Sequence, residues 1–503
     1  MEKQLNYNVM PCLKHMALRT ITASLWNQKD IKHLAALFCF QPIFNNDEHQ
    51  QWQTIVEEKV KQNIHKLVMP ESLISELIKL VKPIGLEILK WIMSHEKFLG
   101  DSCILNRLFW TSLGTVNYKK TAEFLIRDDQ LDVVKRYKIA CVYCLYNDIP
   151  ALWEKLSEKD RMNFCCKHNP SRLVQHELVL LWTSIIKGEA NKFNRRIKRW
   201  KECTLNQYAF KYAALSGNKI ATEYFFQKLT LKEREECLVE TTECVAIARC
   251  DTYSSCSFDF PKESYCDVIA YLLSQCNEVE QIQVFQKYPY RVLKCFMSWP
   301  WQDLFIQIVG HIWTFLPKFD YNTLLWILTE NLNMFGYNCH KIIREFWLQS
   351  PISYKNFVIN RQCRIGGFLS DLFNAEDKEN IKLLLRNVTT VDKERMITCY
   401  SGVHICHNLI MKNKWDLLKL FIQESMLSEA GVTKLKVEFQ KCLPMFYTER
   451  QIKWRKQKWN KFYQLLDDSN IDLNGKGNVK SEEYNLSPDD ILPNDHQKKK
   501  FKK

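Results

Sequence analysis

A recurring pattern constrains the fold of this chain more than any other sequence feature. An apolar segment with helical spacing ends in a small or polar turn, and a second amphipathic segment follows at once. The clearest copy spans residues 208–226, where Gly217 and Asn218 form the turn. Amphipathic helices bury their apolar stripes by packing on other helices. The pattern therefore predicts an all-α fold built from stacked helix pairs.

Further copies have turns near positions 114, 148, 188, 374 and 413. Within the runs 114–217 and 374–413, neighbouring turns lie 29 to 40 residues apart, which brackets the ankyrin period of about 33 residues. Trp110–Gly114 is predicted to end one helix. Asp148 is predicted to cap another, with Pro150 in its first turn, where the missing N–H costs nothing.

Residues 267–275, 380–387 and 415–424 resemble the outer helix of an ankyrin repeat, and residues 212–226 resemble its inner helix, turn and outer helix together. The Thr-Pro-Leu-His opening of the family and its Gly-Ala-Asp finger are absent from these copies. The resemblance therefore implies a divergent, ankyrin-like helix-pair repeat solenoid whose β-hairpin fingers are reduced or absent. It also implies a long surface for protein recognition.

The pattern varies along the chain, and its changes predict the domain organisation. Ankyrin-like repeats are predicted over 111–288 and 368–445, separated by an irregular helical block over 289–367 that is rich in tryptophan. The remaining parts are an N-terminal helical region (1–110), a basic amphipathic helix (446–466) and a disordered tail (467–503).

Composition places the chain among intracellular helical proteins. Gly and Pro number only 13 and 14 in 503 residues, too few for the many tight turns of an all-β fold. No apolar stretch approaches the roughly 20 residues needed to cross a bilayer, and none follows the N-terminus as a signal peptide would. We expect a chain without a membrane span, in the cytoplasm or alternatively in the nucleus.

Twenty cysteines raise the question of metal or redox chemistry. Six of them lie between Cys237 and Cys276, yet none of their spacings is the paired CxxC of a zinc knuckle. Cys141 and Cys144 form one CxxC inside an apolar helical pattern, and His404 and His407 lie near Cys399 and Cys406. We expect these side chains to pack in the core, so no metal ion and no cofactor is predicted; zinc at the cluster from Cys237 to Cys276 stays the alternative.

No catalytic signature is present in the sequence. Gly366 and Gly367 are adjacent, but no phosphate-binding loop, GxSxG elbow or HExxH helix occurs. We therefore predict no enzymatic activity and no catalytic residue. An enzyme on an unfamiliar helical scaffold is a third, less favoured hypothesis, which would require a deep pocket of ionisable groups.

Two basic segments stand out against the modest net charge of +14. Such segments bind phosphates or acidic protein grooves, or simply form solvated helix faces. The first contains Arg195, Arg196, Lys198, Arg199 and Lys201. The second interleaves aromatic residues with Arg450, Lys453, Arg455, Lys456, Lys458 and Lys461.

The favoured function is an intracellular protein interaction scaffold or adaptor, whose partner is a protein of unknown identity. The turns of the helix pairs are the predicted contact points: Ser216, Gly217, Asn218 and Lys219 in one copy, and Lys412, Asn413 and Lys414 in the last. The alternative is a nucleic-acid-associated protein that binds through residues 195–201 and 450–461.

Overall fold

The computed structural model describes residues 7, 11–38, 50–99, 105, 108–165, 177–190, 203–248, 264–334, 339–365 and 367–475. Over these residues the fold is all-α, as predicted, and its helices pack in pairs. The described residues form two compact units, Met1–Arg361 with Gly367–Asn380 and Gln362–Gly366 with Ile381–Lys503. We call them the first and the second unit.

The first unit begins with helices α1 to α9 in chain order. A π-helical turn, Trp52–Glu57, precedes α3. The bounds are α1 Leu13–Trp26, α2 Lys29–Ala36, α3 Glu58–His65, α4 Glu71–Leu99, α5 Tyr118–Leu125, α6 Val133–Val142, α7 Ile149–Lys155, α8 Glu158–Cys165 and α9 Glu177–Ile186.

The first unit continues with α10 to α20. A 3-10 turn, Trp301–Leu304, precedes α16. The bounds are α10 Leu205–Leu215, α11 Lys219–Lys228, α12 Leu231–Ala248, α13 Ser264–Gln275, α14 Glu278–Lys287, α15 Pro289–Phe296, α16 Phe305–Ile312, α17 Lys318–Met334, α18 Cys339–Gln349, α19 Ile352–Ile365 and α20 Phe368–Asn374.

Helix α21, Lys378–Arg386, begins in the first unit and continues in the second. The second unit also holds the last four residues of α19. The second unit then adds α22 Thr390–Thr398, α23 Tyr400–Met411, α24 Trp415–Ser425, α25 Glu429–Phe446, α26 Glu449–Trp454 and α27 Lys456–Gly475. The predicted basic helix over 446–466 is thus two helices, broken at Arg455. Helix α27 runs to Gly475, into the segment predicted as a disordered tail, whose residues from 476 onward lie outside the described chain.

In the clearest helix pairs, one helix contacts both the next helix and the next but one. Helix α10 packs on both α11 and α12, and α13 packs on both α11 and α12. In the second unit α22 packs on α23 and α24, and α23 packs on α24 and α25. The apolar stripes inferred from the sequence are buried in these contacts, for example Phe210 and Ala213 of α10 and Phe421 of α24.

One turn geometry recurs between paired helices. A residue with positive φ stops the first helix, and the next N–H group donates to the carbonyl oxygen five residues back, at 2.8 to 3.1 Å. This is the Schellman motif, which satisfies carbonyl groups at a helix end and favours glycine or asparagine. The positive-φ residues are Cys144, Gly188, Gly217, Glu376 and Asn413. They lie at or within four residues of the turns predicted near 148, 188, 217, 374 and 413.

The turn predicted near 114 has a different structure. Trp110 and Val116 form an isolated antiparallel β-bridge, so Trp110–Gly114 does not end a helix and that prediction is wrong. The hydroxyl of Thr111 accepts a hydrogen bond from the Leu113 N–H at 3.2 Å and bonds the Thr115 hydroxyl at 2.7 Å. Threonine side chains that bond nearby backbone in this way compete with helix formation.

Distant parts of the first unit meet around Arg19. Its guanidinium lies 4.6 Å from the Trp299 ring centroid and 3.5 Å from the Asp303 carboxylate, although Asp303 follows 284 residues later in the chain. The Arg19 side chain is almost fully buried. Within the segment predicted as an irregular block, Trp301 of the 3-10 turn and Trp347 of α18 pack in the core.

Candidate interaction site

Two sequence segments predicted as separate binding elements lie together in the second unit. The Lys458 ammonium of α27 donates hydrogen bonds to the carbonyl oxygens of Ile410 and Met411, at 3.4 and 3.3 Å. Those carbonyls belong to the last turn of α23, directly before Lys412. One turn further along α27, the Lys461 ammonium lies 4.2 Å from the centroid of the Trp415 ring. The structure thus brings the turn 412–414 and the basic helix together.

We call Lys412, Asn413, Lys414, Lys458 and Lys461 the basic turn cluster. All are exposed except Lys458, which is half-buried.

The local sequence explains how the turn forms. Asn413 has φ of 55°, a conformation that asparagine adopts more readily than most residues. The Lys414 N–H then donates to the Leu409 carbonyl at 2.8 Å. The carbonyl end of α23 carries the negative pole of the helix, which favours the Lys458 ammonium at that position.

Apolar contacts fix α27 in place behind the cluster. Trp459, Phe462 and Leu466 are buried, and the Phe462 ring centroid lies 4.6 Å from that of Phe439 in α25. Lys436 of α25 also pairs with Asp467 of α27. One face of the basic segment is thus packed in the fold, and its opposite face carries exposed charge.

Helix α26 carries a second exposed patch. Its Trp454 side chain is 81% exposed, which is unusual for so large an apolar group. The exposed cations beside it in sequence are Arg450, Lys453 and Lys456. The remaining cation, Arg455, stacks its guanidinium over the Tyr447 ring at 4.6 Å and so takes part in internal packing. We call Arg450, Lys453, Trp454 and Lys456 the α26 patch.

The other predicted contact turn, 216–219 in the first unit, is joined to the fold by its own side chains. The Asn218 side chain accepts from the Ala221 N–H at 3.0 Å, which caps α11, and donates to the Val142 carbonyl of α6 at 2.8 Å. The Ser216 hydroxyl donates to Ala213 O at 2.9 Å, and Lys219 pairs with Glu223 at 3.4 Å. Gly217 supplies the positive φ of 72°.

The basic segment with Arg195, Arg196, Lys198, Arg199 and Lys201 lies outside the described residues.

The cysteine cluster from Cys237 to Cys276 is only partly described, because Cys250 and Cys256 lie outside the described residues. Burial raises the pKa of both the Cys237 and the Cys276 thiol to about 12. Among the residues that the structure describes, no three His, Cys, Asp or Glu side chains are grouped so as to hold a metal ion.

The histidines near Cys399 pack against aromatic side chains. His407 stacks on Phe446, with ring centroids 4.5 Å apart, and its Nε2 is 2.7 Å from the Tyr447 hydroxyl. Burial lowers the pKa of His407, which favours the neutral ring. These contacts match the packing role predicted for His407.

One relationship in the site was not predictable from the sequence pattern. The contact between Lys461 and the Trp415 ring depends on how α27 docks. Only the alternation of basic and aromatic residues in 450–462 hinted at it.

No protein-family model and no curated protein sequence matches this chain. Across the described helices, none is long and apolar enough to span a membrane.

Proposed function

We propose that this chain is a non-catalytic interaction protein, an ankyrin-like solenoid of helix pairs that binds an acidic segment of a partner protein. The next-neighbour helix contacts and the repeated Schellman turns support the repeat architecture, because stacked repeats contact mainly their neighbours. Such a protein acts in the cytoplasm or the nucleus, where acidic, flexible protein segments are accessible to it.

The observation that carries the proposal is the convergence of the turn 412–414 with α27. Lys412 and Lys414 present exposed positive charge on a rigid base of packed helices, which the contacts of Lys458 and Lys461 hold to the turn. Complementary charge steers association and fixes the register of a partner. Trp454 of the α26 patch adds an exposed aromatic anchor of the type enriched in protein interfaces.

An acidic polypeptide fits these charges better than a nucleic acid. Three basic side chains of the second segment are engaged within the fold, Lys458 with carbonyl groups and Arg455 and Lys461 with aromatic rings. Asp416 and Glu449 are exposed among the remaining cations and would repel a phosphate backbone. A protein segment with mixed charge tolerates both signs.

The test measures binding of a fluorescein-labelled acidic peptide of mixed charge, with ten glutamates and three lysines, by fluorescence anisotropy. A 20-nucleotide single-stranded DNA and RNA are measured in parallel. We expect the double variant Lys412→Glu, Lys414→Glu to weaken peptide binding by about tenfold or more, equivalent to about 1.4 kcal/mol. The control variant Lys155→Glu, Lys159→Glu makes the same change in net charge on exposed residues of the first unit.

The proposal is wrong if both double variants weaken peptide binding equally, since the loss of affinity would then follow net charge alone. Tighter binding of DNA or RNA than of peptide, with a steep dependence on salt, would instead support the nucleic-acid alternative.

A further inference from the structure

A continuous row of aromatic side chains lies on the second unit, and the proposed function uses only one of them, Trp454. The ring centroid of Tyr400, the first residue of α23, lies 6.4 Å from that of His404. The His404 centroid lies 5.6 Å from that of Phe446, the last residue of α25, and the Phe446 and Tyr447 centroids lie 6.4 Å apart. We call Tyr400, His404, Phe446, Tyr447 and Trp454 the aromatic strip.

The Arg455 guanidinium connects the last two rings of the strip. It lies 4.6 Å from the Tyr447 ring centroid and 5.3 Å from the Trp454 ring centroid. Both distances are typical of cation–π contacts. The strip is therefore one connected feature, which runs from the first residue of α23 to the last residue of α26.

The strip is accessible from solvent. Its two end residues are the most exposed, Tyr400 at 53% and Trp454 at 81%, and the three rings between them are half-buried. Phe439 and Phe462 of the same unit are instead buried. Single exposed apolar side chains are ordinary, but a contiguous group of them marks an interaction site.

Arg455 offers a specific point of contact for an acidic group. Stacking on the two rings uses the faces of its guanidinium and leaves the N–H groups at the edge. In the described part of the chain its Nη1 atom is buried and has no hydrogen-bond partner. Buried donors are normally paired, and a carboxylate pairs with guanidinium through charge-assisted hydrogen bonds. The side chain as a whole is half-buried, so the carboxylate of a docked partner can reach it.

The charge around the end of the strip also favours an acidic partner. Residues 449–456 carry four cations and a single carboxylate, that of Glu449. Arg450, Lys453 and Lys456 are exposed beside Trp454. Complementary charge steers a partner to the strip and fixes its register.

A polypeptide suits the strip better than a single-stranded nucleic acid does. Bases stack on ring faces that are free. Arg455 lies over one face of Tyr447 and one face of Trp454. His407 covers one face of Phe446, with 4.5 Å between the ring centroids. Aliphatic side chains need no free face, because they pack against the edges of rings as well.

We propose that the aromatic strip binds the apolar face of an acidic amphipathic helix from a partner protein, whose carboxylates pair with Arg455 and with the cations of the α26 patch. This inference rests on the proposed function and adds apolar residues to the partner's chemistry. Side chains three and four positions apart on a helix lie about 5–6 Å from each other, close to the 5.6 to 6.4 Å between neighbouring rings from Tyr400 to Tyr447. An apolar helix face can therefore lie along the strip.

The test compares two fluorescein-labelled peptides on the full-length chain by fluorescence anisotropy. Both contain ten glutamates and three lysines, and both add four residues spaced three and four positions apart. These four are leucine in the leucine peptide and alanine in the alanine peptide, which forms a helix at least as readily. We expect the leucine peptide to bind about tenfold or more tightly than the alanine peptide.

Variants of the chain assign this preference to the strip. Trp454→Ala and Tyr400→Ala should each reduce the preference for the leucine peptide by about threefold or more, while binding of the alanine peptide changes little. Phe319→Ala removes an exposed aromatic ring of the first unit and should keep the full preference. Thermal unfolding of each variant checks that the fold is intact.

The inference is overturned if the leucine peptide binds no more tightly than the alanine peptide, or if Trp454→Ala and Tyr400→Ala both keep the preference. A 20-nucleotide RNA that binds more tightly than either peptide and depends on Trp454 would also overturn it, and would assign the strip to nucleic acid.

The outcomes separate this inference from the proposed function. If the alanine peptide binds and depends on Lys412 and Lys414, but no preference for leucine appears, the inference alone fails. If the preference depends on Trp454 while Lys412→Glu, Lys414→Glu weakens neither peptide, the proposed role of the basic turn cluster fails and the strip stands. Binding of neither peptide overturns both.

Discussion

The Lys461 ammonium lies 4.2 Å from the centroid of the Trp415 ring, which joins the last described helix to the helix that follows the turn 412–414. A cation over a partly exposed indole contributes about 0.5–1 kcal/mol. The charge of Lys461, a member of the basic turn cluster, therefore helps to hold that cluster in place.

The first prediction concerns this contact. A double-mutant cycle of Lys461→Gln and Trp415→Leu, measured by urea unfolding, should give a coupling free energy of about 0.5–1 kcal/mol. The matched cycle combines Trp415→Leu with Lys456→Gln, a change at an exposed lysine of the same helix, and should give a coupling free energy near zero. Equal coupling in the two cycles would mean that general charge, and not the ring contact, is being measured.

Asn218 should contribute more to stability than an ordinary helix cap. Asn218→Ala removes the cap of α11 and the hydrogen bond to the Val142 carbonyl, at a cost of about 2 kcal/mol. Asn277→Ala removes a cap whose side-chain bond stays within its own first turn, at a cost of about 1 kcal/mol. Chemical denaturation compares the two variants, and no difference between them would show that the bond to Val142 adds nothing.

Replacing either of two glycines with alanine should change the stability of the fold, in opposite directions for the two positions. A Cβ atom at Gly85 would lie 2.5 Å from the Trp26 ring, so Gly85→Ala forces α1 and α4 apart and should destabilise the fold by about 1–3 kcal/mol. At Gly310 no atom lies within 4 Å of the added Cβ, and Gly310→Ala should stabilise α16 by up to about 1 kcal/mol. Thermal unfolding distinguishes the signs, and a stable Gly85→Ala variant would contradict the packing of Trp26.

Acid should destabilise the first unit through His95. The His95 Nε2 is 2.7 Å from the Tyr143 hydroxyl and its Nδ1 is 2.6 Å from the Trp91 carbonyl oxygen. The carbonyl can only accept, so the ring donates from Nδ1 and the hydroxyl donates to Nε2, which requires a neutral ring. Burial lowers the pKa of His95 to about 4 from its ordinary 6.5.

In the unfolded chain His95 therefore binds a proton below pH 6.5, whereas in the folded chain it binds one only below about pH 4. Stability from this residue is complete above pH 6.5 and falls as the pH drops to about 4, by about 3 kcal/mol in total. The free energy of unfolding, measured from pH 4 to pH 7, should show this slope in the wild type and lose it in His95→Gln. An unchanged slope in the variant would assign the acid sensitivity to other groups.

Local chemistry was readable from the sequence, and long-range contact was not. Gly217 and Asn218 identify their turn because a positive φ and a helix cap each favour particular residue types. Trp110–Gly114 was misread because an apolar run of that length suits a helix as well as a bridge. Which residue meets Arg19 or Trp415 depends on how distant helices dock, and nothing in the neighbouring residues records it.

In the candidate site too, local features were predictable from the sequence and long-range contacts were not. The positive charge of Lys458 and Lys461 was evident, and so was the turn at Asn413, but their meeting was not. Helical spacing predicted that Trp459 and Phe462 lie on the buried face of the basic segment, and the position of its exposed face followed from that.

The burial of Arg19 has a consequence for how the chain is made. Asp303 leaves the ribosome 284 residues after Arg19, a delay of roughly 15 to 55 s at typical rates of synthesis. Until then α1 emerges without the carboxylate and the indole ring that finally surround its guanidinium. The first unit can complete this packing only after most of its length has been translated. Helix α1 is therefore synthesised long before all of its contacts can form.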